Sequence, residues 1–177
     1  APKGKDGSCG RGSRFASRRR VTEQNTKTRH SRAPSPTFNC VGPAGVGTGS
    51  LAGMRMLHHY QNDIHIWPIS KTLPSAADLV VVEIFPALYF KMAGITDRMK
   101  ADMPLVALNT ALTYFGTNHV ASIADGLPDR DDMDALISAA ALKAYHDPLY
   151  IFPISPEYYQ AAACEGWIFG SSCDKNS

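Results

Sequence analysis

Apolar positions in this chain fall into short runs cut by glycine and proline, and the spacing within the runs alternates between helical and extended. Residues 1–36 carry no apolar repeat. They are rich in Gly, Ser and Arg and close on Pro34 and Pro36, which predicts a flexible arm with one short helix near Ser17–Thr26. Thr37–Val41 is a short apolar run, followed by a Gly-rich loop over Gly42–Gly49. Ser50 is placed to cap a helix reaching about Tyr60, with Leu51, Met54 and Leu57 on one face. Ile64–Ile69 reads as a strand. Leu79–Phe85 reads as a second strand, apolar without alternation and therefore expected to be covered on both faces.

The second half is helical. Pro86 opens a helix that stops near Gly94. Leu105, Leu108, Leu112 and Phe115 give helical spacing from about Asp102 to Phe115, with Gly116 at the end. A last long helix follows Pro128, with Asp129 as N-cap and Pro148 preventing extension past Asp147. Glu165–Gly170 predicts a closing strand. Strands covered by helices make an α/β layer fold, with the domain proper over 37–170 and a tail over 171–177.

Composition bounds the function classes. A length of 177 residues with 44% hydrophobic content suits one folded domain. No run approaches the roughly 18–20 apolar residues of a membrane span, and no apolar stretch of signal-peptide type follows the basic start. Cys9, Cys40, Cys164 and Cys173 form no CxxC pair, which favours reduced cysteines in a cytoplasmic protein and disfavours zinc. The net charge of +2 hides an asymmetry. Residues 1–32 hold ten of the 18 Lys/Arg against Asp6 and Glu23, while the rest of the chain holds eight basic and fourteen acidic residues. A basic arm on an acidic body points to a phosphate-bearing partner such as nucleic acid, with Arg18, Arg19 and Arg20 steering it electrostatically, or to a solvated tail.

Several motif lookalikes fall short. Gly42-Pro43-Ala44-Gly45-Val46-Gly47 has the setting of a P-loop, but Thr48 and Gly49 stand where Lys and Ser/Thr are needed, so nucleotide hydrolysis gains no support there. A turn needing glycine, or a backbone phosphate cradle, remains. Asp6-Gly7-Ser8 echoes a ribonuclease H start but follows no apolar strand. His58 and His59 are adjacent on a helix and point about 100° apart, which suits surface positions better than a shared metal. Ser50 lacks a base partner and the nucleophile-elbow pattern.

The carboxylates carry the sharper expectation. Glu83 ends the run Val80-Val81-Val82, where a buried charge without a partner is costly. Asp131 and Asp134 share one face of the late helix, whose Ala135, Ala139, Ala140 and Ala141 allow close approach to a sheet. Convergence of Glu83, Asp131 and Asp134 would make an all-oxygen site for Mg²⁺ or Mn²⁺, able to activate water toward a phosphodiester. Asp125 and Asp129 are candidates for supporting roles. Against this stands ordinary use of acidic residues in a first helical turn.

The segments Arg20-Val21-Thr22-Glu23, Phe38–Met54, Val82-Glu83-Ile84-Phe85-Pro86, Asp131–Leu136 and Glu165–Gly170 together give a resemblance to the DUF429 family of predicted nucleases, covering about residues 18–170. The resemblance implies a ribonuclease H-like fold, a mixed sheet flanked by helices, with Glu83 as the central-strand carboxylate. Asp131 and Asp134 would be the helix carboxylates, Asp134 being similar to the Asp of the Asp-Ala-Leu motif in Holliday-junction resolvases. That fold takes a first ligating Asp from an opening strand, and residues 1–36 hold no apolar strand ending in Asp, so the fold is expected to be incomplete at its N-terminus. The expected function is metal-dependent nuclease-like hydrolysis. The alternative is a non-catalytic nucleic-acid-binding or protein-binding remnant of the same fold, and a weaker third reading is a phosphate binder at Gly42–Gly49. Oligomeric state is left open.

Overall fold

The computed structural model describes residues 19–30, 34–37, 39, 46–70, 74–75, 78–119, 126, 128–145 and 154–172. It is an α/β arrangement, mostly helical, with one small parallel sheet. The chain divides into two compact units. The first comprises Ala1–Glu83 and Phe152–Ser172, the second Ile84–Ile151 and Cys173–Ser177.

In the first unit, α1 (Val21–His30) and α2 (Gly47–Tyr60) precede β1 (His65–Ile66) and β2 (Val80–Val81), and a single 3₁₀ turn at Pro156–Tyr158 leads into α7 (Tyr159–Glu165). The strands pair in parallel, His65 against Val80 and Ile66 against Val81. Glu83 then makes a parallel bridge with Ile168, closed by Phe169 N–H donating to the Glu83 carbonyl at 2.8 Å. The expected strands are thus correctly located but shorter. Ile64–Ile69 contracts to two residues, where Ser70 folds back and its hydroxyl accepts from Ile66 N–H at 2.9 Å. Leu79–Phe85 is not buried on both faces: Leu79 and Ile84 are exposed and Val80–Val82 half-buried. A continuous apolar run records composition and leaves open how many layers cover it. The closing strand at Glu165–Gly170 is mostly the end of α7 and a turn, with the bridge at Ile168 as its extended part.

α1 lies where a short helix was anticipated, and it is docked within the first unit. Thr22, Glu23, Asn25 and Thr26 are all buried. α1 packs against α7, and polar groups do the holding. The Thr22 hydroxyl accepts from Ile168 N–H at 2.9 Å, and Asn25 donates to the Ser171 carbonyl at 3.4 Å. Because the buried face is polar, it leaves no apolar period to read. α2 also differs. It starts at Gly47 with Val46 as N-cap, and Ser50 sits inside the first turn, its hydroxyl donating to the Val46 carbonyl at 3.0 Å. Leu51 and Met54 share a face as expected, yet both are about half exposed.

Among the described residues the second unit has four helices: α3 (Pro86–Met92), α4 (Asp97–Asp102), α5 (Pro104–Tyr114) and α6 (Arg130–Ala144). Proline at the first helical position opens α3 and α5, where its fixed φ suits the helix and its missing N–H costs nothing. Gly116 takes φ +65° beyond α5, a left-handed position that glycine fills without strain. α4, absent from the sequence expectation, begins at Thr96, whose hydroxyl accepts from Met99 N–H. α6 packs on α3 and α5 rather than on a sheet. Its Ala140 and Ala141 do allow close approach, but to helices that bring Leu88, Leu108, Leu112 and Ile137 into one apolar core. Burying each of those larger side chains contributes about 1.5–3 kcal/mol. Among the described residues no helix is long and apolar enough to cross a membrane.

Candidate functional site

The polar centre of the first unit is built on Arg20. It precedes α1 and accepts Gln24 N–H through its carbonyl, so it stands at the helix entrance. Glu23, three residues on, bonds back to Arg20 N–H at 3.0 Å, a reciprocal placement that positions the carboxylate under the guanidinium. Arg20 Nε then donates to Glu23 Oε1 at 2.8 Å. Thr37 closes the far side, its N–H and hydroxyl both donating to the same oxygen, the latter at 2.7 Å. Glu23 is fully buried and bonded through both oxygens, as a buried carboxylate must be.

The same guanidinium reaches Glu83. Nη1 donates to Glu83 Oε2 at 2.8 Å, and Nη2 donates to Oε1 in a short contact, a fork-to-fork pair. Nη1 also donates to the Glu165 carbonyl at 2.9 Å. Arg20 is only 7% exposed, whereas the Glu83 side chain is 38% exposed. Burial works against the Arg20 charge, but the bonds and attraction of Glu83, then of Glu23, outweigh it, and the guanidinium is held protonated more firmly than a free arginine. The end of α7 supplies the remaining wall. Glu165 Oε2 accepts from Val21 N–H at 2.9 Å, while Oε1 is buried with no partner among the described residues. Gly166 follows at φ +75°, and a Cβ there would meet Glu83 Oε2 at 3.6 Å and Arg20 Nη1 at 3.7 Å. Glycine takes that left-handed turn without strain, directly against the ion pair.

This cluster opens on a cleft of about 370 Å³. Among the described residues, Arg20, Glu83 and Glu165 are its charged lining; Met54 and Leu57 of α2, with Trp67 and Trp167, form much of its apolar wall. The volume lies within the range of small-ligand sites.

The expected site residues fare differently. Glu83 lines the cleft, and the partner its charge requires is Arg20. Arg20, expected to face nucleic acid, is interior, because its donors are engaged by Glu23, Glu83 and Glu165. Arg19 is half-buried beside it, and Arg18 lies outside the described residues, as do Gly42–Gly45 of the Gly-rich loop and Asp125. Asp131 and Asp134 belong to the second unit, on α6. Asp131 is exposed in the first turn. Asp134 is half-buried, and its carboxyl is raised above the ordinary aspartate value, by burial first and by Asp131, against the opposing pull of Lys100 and Arg130. Asp129 and Asp132 form a capping box: Asp132 N–H donates to Asp129 Oδ1 at 2.8 Å and Asp129 N–H donates to Asp132 Oδ2 at 3.1 Å. Asp132 is therefore a helix-start residue. His58 and His59 are exposed at the end of α2, with His58 bonded to Gln61, and His65 is buried on β1.

Two further findings bear on chemistry. Among the described residues no group of three or more His, Cys, Asp or Glu is placed to hold a metal ion. Cys164, on the rim of the cleft, is disulfide-bonded. That corrects the expectation of four reduced thiols, since scattered spacing in sequence says nothing of proximity in space. Glu23, Thr37 and Glu165 went unassigned in the sequence. The Arg-x-x-Glu spacing ahead of α1 is the one local signal that pointed to the first of them. No family model, curated protein or solved structure matches the chain.

Proposed function

We propose that this chain is a non-catalytic binding module of ribonuclease H-like descent, whose working surface is the cleft at the Arg20–Glu83 pair. One observation carries the reading: both oxygens of the strand-end carboxylate are taken by a buried guanidinium that Glu23 locks in place. A divalent-ion site needs several oxygens free to converge on one point. Here the cation that joins the carboxylates is part of the chain, and the cluster as built does not fit Mg²⁺ or Mn²⁺. The descent itself rests on the sequence resemblance, and the parallel strand pair followed by helices is compatible with it. Incubation with single-stranded and double-stranded DNA and RNA, with Mg²⁺ or Mn²⁺, is expected to leave them intact. Metal-dependent cleavage that disappears in Glu83→Gln would overturn the reading.

A second reading keeps the metal-dependent nuclease. One observation favours it: the Glu83 side chain remains partly exposed to the cleft. In that reading Glu83 would be a ligand of Mg²⁺ or Mn²⁺, with nucleic acid as substrate and Arg18 and Arg19 among its steering charges. The cleavage assay separates the two.

A further inference from the structure

We draw no further inference here: the strongest candidate, the surface patch formed by the exposed apolar side chains Leu51, Met54, Met56 and Tyr60 of α2, carries nothing, because nothing in the structure shows what covers it.

Discussion

Arg20 and Glu83, 63 residues apart in sequence, meet in a two-pronged ion pair, with Nη1 to Oε2 at 2.8 Å and Nη2 to Oε1. Glu23 holds the same guanidinium from behind through Nε. The three residues tie the entrance of α1 to the end of the β2 strand run, so one buried cation serves both fold and site. Removing it exposes the cost. Arg20→Met leaves Glu23 buried with no counter-charge and Glu83 unpaired, and loss of one member of a buried pair typically costs about 3–5 kcal/mol. Urea unfolding should show a midpoint shift of that order. Arg20→Lys should recover only part of it, since an ammonium lacks the fork. A shift below about 1 kcal/mol, the level of an exposed pair, would show that the cluster is not load-sharing in solution.

The acidic start of α6 makes a separate prediction. Asp129 and Asp132 cap the helix reciprocally. Asp129→Ala should lower stability by about 1 kcal/mol, and Asp132→Ala by a similar or smaller amount. Asp131→Ala, at an exposed position without a capping role, should change it little. Thermal unfolding of the three variants side by side checks the ranking, and an Asp131 variant as costly as Asp129→Ala would require another role for that carboxylate.

Asp134 gives a pH signature of defined sign. Its folded carboxyl is raised, chiefly by burial, with Asp131 adding to the shift and Lys100 and Arg130 opposing it. A group raised on folding stabilises most below its unfolded value, where it is protonated in both states, and that contribution is lost as pH rises through the folded value. Asp134→Asn should therefore match the wild type in acid and gain on it as pH rises above the ordinary aspartate value of about 4. Melting temperatures at several pH values test this, and a gap that stays constant with pH contradicts it.

Cys164 supplies a chemical count. Because it is disulfide-bonded, at least two of the four cysteines are consumed. Thiol titration of the unfolded, unreduced chain should find no more than two free thiols, and reduction should restore four. Four free thiols before reduction would mean that the bond does not form in solution.

What could be read from sequence divides along a physical line. Helix boundaries were legible where a local device sets them: Pro86 opening α3, Gly116 closing α5, Asp129 capping α6. Each depends on neighbours within four residues. The Arg20 cluster was not legible, because its bonds join residues 20, 83 and 165 and only the fold brings those together. Counting charges put Arg20 with a solvated arm, since charge density near the start of the chain cannot distinguish a buried arginine from its exposed neighbours. Burial of α1 was hidden for a related reason. Its inward face is Thr22, Glu23, Asn25 and Thr26, docked through hydrogen bonds rather than apolar contact. Glu83 was expected to be a buried charge; its side chain is partly exposed, and the cation it meets, Arg20, lay beyond the strand's own residues.

The most direct test of the central claim is calorimetric titration of the chain with Mn²⁺, run in parallel on Glu83→Gln. If Arg20 already satisfies Glu83, the two proteins should give superimposable, non-saturating heats. A saturable isotherm in the wild type that flattens in Glu83→Gln would show that the carboxylate is a metal ligand and contradict the account.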